Sequence, residues 1–351
     1  MTLDQLHEDH AVRLAAPERS PVETIMELAH AYLPSCALHV AARLGVADLL
    51  ADGPQAVEEI ALRAHVHAPS LGRVLRTLAM YGVFAEDAEG RYGLTPAAEL
   101  LRTEALRDAV TFSADVAGDG SWWSAVGRLG DAVITGTPSF EQLTGTSFFD
   151  YAAERPECAR WFSRGMANFA ATENPAIAAA YDFSGVAHIL DIGGGHGGFL
   201  AQILARWPES RGTLLDLPEV VADPADLATV EEDRWDVVAG DFFASIPSGA
   251  DAYLLKRVLH DWDDDRGVSI LRHCRAALGD HARLLVIDAV VPPGNHPHPA
   301  KVLDILMMAA TPGRERSASE FADLLGRAGL QVSRILPTPT TLSIIEADPL
   351  C

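Results

Sequence analysis

The spacing of apolar positions changes character once along this chain, from a helical rhythm to alternating strand and helix after residue 181. Ser20-Pro21-Val22-Glu23 reads as an N-cap, a proline at the first helical position and a capping-box glutamate. Apolar residues then recur at helical spacing to Leu33, Pro34 interrupts them, and a second helix ends at Gly45. Helices are also expected over Val57–Ala64 and over residues 69–81, the latter closed by Gly82. VFAEDAEGRYGLT alternates around an Ala88-Glu89-Gly90 turn, as a β-hairpin does. Helices ending in a small hairpin predict a winged-helix-like unit over residues 20–105, preceded by an aperiodic arm at 1–19. Residues 106–181 read as helices with aromatic clusters at Trp122-Trp123, Phe148-Phe149-Tyr151 and Trp161-Phe162.

From residue 182 to 351, short apolar runs alternate with amphipathic stretches: AHILDIG, GTLLDL, WDVVAG, AYLLKRV, RLLVIDAVV, VSRIL and LSIIEA. That order predicts an α/β unit with a parallel sheet and crossover helices. Only Pro337-Thr338-Pro339-Thr340 separates the last two runs, too short for a crossover, so the final strand is expected antiparallel. A chain of 351 residues, nearly half apolar, suits two domains with sizeable cores. No run of about 18 apolar residues occurs, and the N-terminus lacks a signal core, so a soluble, cytoplasmic protein is expected. A formal net charge of −22 argues against nucleic acid and anionic membranes as partners. Cys36, Cys158, Cys274 and Cys351 are scattered without a CxxC, which fits neither a disulfide framework nor a zinc site.

The sharpest local signal is Asp191-Ile192-Gly193-Gly194-Gly195-His196-Gly197-Gly198, directly after a buried run. Glycines there let the chain turn from strand to helix and let a ligand approach the backbone. The stretch satisfies GxGxxG through Gly193, Gly195 and Gly198, so a dinucleotide site stays open. Asp191, however, would oppose a pyrophosphate and suit a ligand carrying an ammonium. Asp216 ends the next strand, where a carboxylate accepts ribose hydroxyls in NAD and S-adenosylmethionine alike. Asp241-Phe242 follows the third strand and suits an adenine, the acid taking the exocyclic amine and the ring stacking; a plain turn with a core Phe is the alternative. Beyond the fourth strand, His260 in LKRVLHDWDDD sits at the same carboxyl edge, where a histidine titrating near neutrality can take a proton from a hydroxyl.

DIGGGHGG, LLDLP, GDFF, LKRVLHDWDDD, LLVIDAVVP and GRERSASEF, in that order, resemble the plant-type small-molecule O-methyltransferases. That family includes caffeic acid, hydroxyindole and bacterial polyketide-tailoring enzymes, and the likeness runs from about residue 20 to 348. The resemblance implies a Rossmann-like class I methyltransferase sheet and an N-terminal dimerisation domain, in a homodimer acting in secondary metabolism. It implies S-adenosyl-L-methionine as cofactor and a small phenolic or polyketide-like acceptor. Gly193 and Gly195 would hold the methionine end, Asp216 and Leu217 the ribose, and Asp241 and Phe242 the adenine, with Lys256 nearby. His260 matches the base, flanked and oriented by Asp288 and Glu315; Phe162, Met166 and Met307 match pocket-lining positions, so the 106–181 region would line the acceptor pocket.

Three departures from the family pattern stand out. Asp288 is shorter than the glutamate of plant members, Thr311-Pro312-Gly313-Arg314 has one glycine where relatives often have two, and Ala170 replaces a small hydroxyl residue. The single glycine leaves open a different position for Glu315. No metal is expected; His296-Pro297-His298 lies in a proline-rich loop. Rival readings are a C- or N-methyltransferase, a non-methylating hydroxylase or decarboxylase of the same fold, a winged-helix ligand-sensing regulator, and a nicotinamide oxidoreductase.

Overall fold

The computed structural model describes residues 20–350, so the arm expected over residues 1–19 lies outside the described residues. The chain divides into two compact units, one ending at Ala114 and the other starting at Asp115. No helix among the described residues is long and apolar enough to cross a membrane.

The first unit opens with helix Pro21–His30, whose N-terminus carries the expected capping box between Ser20 and Glu23. The helix breaks at Ala31, not at Pro34. Pro34 lies inside the first turn of the next helix, Tyr32–Arg43, where its missing N–H costs nothing. Helices Val57–Ala64 and Ala68–Met80 follow, and Gly82 takes the left-handed conformation expected after a helix end. Strands β1 (Phe84–Glu86) and β2 (Tyr92–Leu94) pair antiparallel as the wing. Leu50, Ile60, Leu75, Leu78 and Phe84 form the core of this unit.

The second unit begins with short helices and the longer Pro156–Ala171, then enters a seven-stranded sheet. Its strands are β3 (His188–Ile192), β4 (Arg211–Asp216), β5 (Trp235–Ala239), β6 (Ala252–Lys256), β7 (Arg283–Ala289), β8 (Leu330–Pro337) and β9 (Leu342–Pro349). The order across the sheet is β5-β4-β3-β6-β7-β9-β8; the first five strands run parallel, and β9 pairs antiparallel with both β7 and β8. Alternate residues serve opposite cores: Leu190, Tyr253 and Val286 on one face, Ile189, Leu254 and Leu285 on the other. Burial on both faces explains why these strands read as continuous apolar runs.

Chain order reverses at β3, which has β4 on one side and β6 on the other. Open α/β sheets bind ligands at such a switch point, outside the carboxyl ends of the strands. Ile192 pairs with Leu215 and with Leu255, and Lys256 with Ile287, so the loops after β3, β4, β6 and β7 leave the sheet at one edge.

Candidate active site

Gly193 and Gly195 take φ of 67° and 61°, and Gly197 takes 84°, conformations that cost other residues a steric clash. Gly194 is needed for a different reason: a Cβ there would lie 2.6 Å from Asp191 Oδ2 and from Leu214 Cδ1. Behind this loop Asp191 is buried, and neither carboxylate oxygen has a hydrogen-bond partner among the described residues. Burial pushes its carboxyl up to about 7, against the pull of Lys256 and with the repulsion of Asp216. A ligand cation at this edge would restore the ionised form. Asp216 Oδ2 accepts from Gly195 N (2.9 Å) and Oδ1 from Leu217 N (2.7 Å), which aims the carboxylate across the loop with lone pairs to spare.

Asp241 is exposed and its Oδ1 accepts from Phe243 N (2.8 Å), the local turn that the sequence left as an alternative. Phe242 is half-buried, within ordinary contact of a side chain built at Gly193, so the ring borders the glycine loop. Orphaned acid, left-handed glycines and the Asp216 carboxylate together fit a nucleoside ligand bearing an ammonium and a positive sulfur. They fit a pyrophosphate poorly, because Asp191 behind the loop would repel it.

His260 lies in a short 3-10 turn, Leu259–Asp261, beyond β6, and is 6% exposed. Its Nδ1 donates to Glu315 Oε1 at 2.8 Å, which leaves Nε2 as the proton-accepting atom, with Asp261 Oδ1 3.7 Å away. Glu315 therefore reaches the ring despite the single glycine. Gly313 shows why: its bare Cα packs on the His260 backbone, and any Cβ would overlap the His260 carbonyl oxygen.

Asp288 is fully buried and has no hydrogen-bond partner among the described residues, so it acts on the ring through space and not by a bond that orients it. Burial pushes its carboxyl up to about 7 against the pull of His260 and Arg257. The expectation of a histidine titrating near neutrality is corrected. Burial alone would push the imidazolium down, but Asp261, the Glu315 hydrogen bond and Asp288 outweigh it and bring it up to about 9.

Several functional neighbours escaped the sequence reading. Arg316 is fully buried and donates to Leu259 O (2.8 Å), Trp262 O (2.9 Å) and Asp264 Oδ1 (2.9 Å), clamping the turn that carries His260. Glu173 receives both Lys256 and Arg257. His196 in the glycine loop donates through Nδ1 to Asp223 O (2.9 Å) and accepts at Nε2 from Ser163 Oγ (2.7 Å), tying helix Pro156–Ala171 to the loop. Trp262 stacks on Phe149 with centroids 5.3 Å apart and an interplanar angle of 24°.

Phe149 meets Phe162 at 6.2 Å, and Met166 lies one helical turn beyond Phe162. Met307 is buried on helix Pro299–Ala310, one turn from Asp304, whose Oδ1 accepts from Glu315 N (2.9 Å). His298, half of the HxH pair, caps that same helix by accepting from Ala300 N.

Sheet, glycine loop and acidic strand ends define a Rossmann-like methyltransferase. Residues 126–331 match the O-methyltransferase domain model and 26–104 the O-methyltransferase dimerisation domain model. The chain belongs to the S-adenosylmethionine-dependent O-methyltransferase family. It is 41% identical to the phenazine O-methyltransferase of Lysobacter antibioticus over 93% of this chain and 96% of the relative. The mitomycin 7-O-methyltransferase structure superposes with a TM-score of 0.84 at 36% identity, over 98% of this chain and 99% of the other. A neocarzinostatin-biosynthesis O-methyltransferase, solved with S-adenosyl-L-homocysteine and 1,4-dihydroxy-2-naphthoic acid, gives 0.76 at 36% identity, over 90% and 96%.

Gly313→Ala should displace the His260 turn and lower turnover by about 10²-fold. Affinity for S-adenosylhomocysteine should stay near wild type, because Asp191 and Asp216 belong to other strands. Steady-state kinetics and calorimetry check this, and normal turnover would show the contact to be dispensable.

Proposed function

We propose that this protein methylates a hydroxyl of a small fused-ring aromatic acceptor in secondary metabolism, with His260 as general base. The observation that carries the reading is the buried His260–Glu315 pair, whose Nδ1 is committed and whose Nε2 is left to take a proton. Asp191, Gly193 and Gly195 would hold the amino-acid end of S-adenosylmethionine, Asp216 and Leu217 its ribose, and Asp241 and Phe242 its adenine. Lys256 would sit beside Asp191. Bound cofactor supplies an electrophilic methyl group on a positive sulfur.

Phe162, Met166 and Met307 would line the acceptor side, together with the stacked Phe149–Trp262 pair, which offers a flat apolar wall. The phenazine and naphthoic acid chemistry named for the relatives supports a planar acceptor. On this reading His260 Nε2 takes the hydroxyl proton as the C–O bond forms, and Glu315, Asp261 and Asp288 stabilise the resulting imidazolium. Residues 106–181 would line the acceptor pocket and 182–351 would form the catalytic domain.

Residues 20–105 would form a homodimer interface. Helix Pro21–His30 has no buried residue and exposes Val22, Ile25 and Leu28 at 70, 66 and 71%. Those side chains call for a second copy. Sedimentation at micromolar concentration should give a dimer, and Ile25→Asp with Leu28→Asp should shift it to monomer or aggregate; a wild-type monomer would contradict the assignment.

Because the His260 imidazolium persists up to about pH 9, the neutral base is the minority form at pH 7, and each unit of pH below 9 raises its share about tenfold. Activity on a phenolic acceptor, as kcat/KM, should rise with pH and level near 9. His260→Ala should lower turnover by about 10²–10⁴-fold and regain rate only as the acceptor itself ionises. A flat wild-type profile, or near-normal turnover in the variant, would remove His260 from the chemistry.

A further inference from the structure

Three side chains that no motif connects meet beneath the active-site edge. Glu173, between helices Pro156–Ala171 and Asn174–Ala179, receives Lys256 Nζ at 2.9 Å and Arg257 in bidentate fashion at 2.9 and 3.0 Å. The side chains are only 7–8% exposed. Lys256 and Arg257 are adjacent, and adjacent residues of an extended strand point to opposite faces. They reach one carboxylate because Arg257 takes φ of 54°, a left-handed conformation rare outside glycine. That kink also starts the turn that delivers His260. Ladder pairing still continues through Arg257 N to Ile287 O (3.0 Å), so the kink lies at the edge of an otherwise regular strand.

The two cations face opposite halves of the site. Lys256 is the charge that opposes the burial of Asp191 on the cofactor side. Arg257 acts on Asp288, Glu315 and Asp261, the carboxylates around His260, and Arg316 also acts on Asp288. We propose that Glu173 is a positioning residue for methyl transfer, one buried carboxylate that sets the charge presented to the cofactor's ammonium and to the base together. The inference rests on the function proposed above. Burial would raise the Glu173 carboxyl, but Arg257 and Lys256 outweigh it and hold the group ionised, while burial lowers the Lys256 ammonium against the pull of Glu173 and Asp191.

Glu173→Gln in the full-length protein removes that negative charge while keeping shape. Lys256 is then free to pair with Asp191 and compete with the ligand, so S-adenosylhomocysteine binding by calorimetry should weaken roughly tenfold, the worth of one charge-assisted bond. The added net positive charge near His260 should move the midpoint of the kcat/KM–pH profile down by about one unit. Glu173→Asp keeps the charge with a shorter reach, and should restore the pH midpoint while binding the ligand less well than wild type.

A Glu173→Gln protein that folds, by circular dichroism, with wild-type affinity and wild-type midpoint overturns the proposal, whatever its thermal stability. Should that variant fail to fold, wild-type ligand affinity in Glu173→Asp overturns it instead. Failure of the underlying function looks different: wild type itself would neither bind S-adenosylhomocysteine nor gain rate with pH.

Discussion

Charge held out of water at the carboxyl edge of the sheet is the constraint on which the rest of this structure depends. Glu173, Asp191, Asp288 and Glu315 are all buried, and a buried carboxylate is costly unless a cation or a donor answers it. Glu173 is answered twice and Glu315 once. Asp191 and Asp288 are not answered by any hydrogen bond among the described residues, and both carboxyls are raised by burial to about 7. The unpaired acid thus lies in two places, one behind the glycine loop and one beside the base. A fold selected for stability alone would have filled both with apolar side chains of similar size. The strands that carry them, β3 and β7, are packed on both faces, and that rigidity allows the strain to persist.

His260 is held by two segments of the chain. Its own turn follows the left-handed Arg257; the loop of residues 311–317 brings Glu315 to the ring and Gly313 to the backbone; Arg316 then clamps the carbonyls of Leu259 and Trp262. Val290, just past β7, bridges to Arg316 and ties that loop to the sheet. An imidazole so fixed loses little freedom when an acceptor arrives, which is where orientation contributes to rate. Arg316 suits this task because its guanidinium is always charged and carries donors in a fixed fork, so it satisfies carbonyls and Asp264 together.

Most of the fold was legible in the sequence, because the sheet strands are buried on both faces and announce themselves as apolar runs. The short Pro337–Thr340 link correctly implied the antiparallel end. The position of the first helix break was misjudged at Pro34, since a proline in the first turn looks the same in sequence as one that ends a helix. Within the site, Asp191, Asp216 and His260 were visible because each stands at the end of such a run. Glu173 and Arg316 were not, because their meaning lies in what they touch: two cations about 83 residues away for Glu173, and two carbonyls for Arg316. No period or spacing encodes those encounters. Only the close packing of Gly194 against Asp191 had a sequence signal, the unbroken glycine triplet.

The strength of the base was equally invisible, and it bears on which acceptors the site suits. An isolated histidine titrates near 6.5 and would face a phenol of pKa about 10 across a gap of more than three units. Carboxylates from Glu315, Asp261 and Asp288 bring the His260 imidazolium to about 9, and the gap closes to about one unit. On the proposed function, proton transfer to Nε2 would then run closer to level, and the hydroxyl would gain anionic character at less cost as the methyl group arrives. An acceptor more acidic than this, such as a hydroxyl conjugated to a quinone or carboxyl, enters as the anion and pairs with the imidazolium. Both routes reach the same charge distribution with one proton shared between ring and oxygen. An aliphatic hydroxyl, with a pKa close to the 15.7 of water, stays nearly seven units out of reach. On the proposed function, the buried acids favour aromatic over aliphatic hydroxyls by raising the proton affinity of His260, and the Phe149–Trp262 pair would add a flat apolar wall.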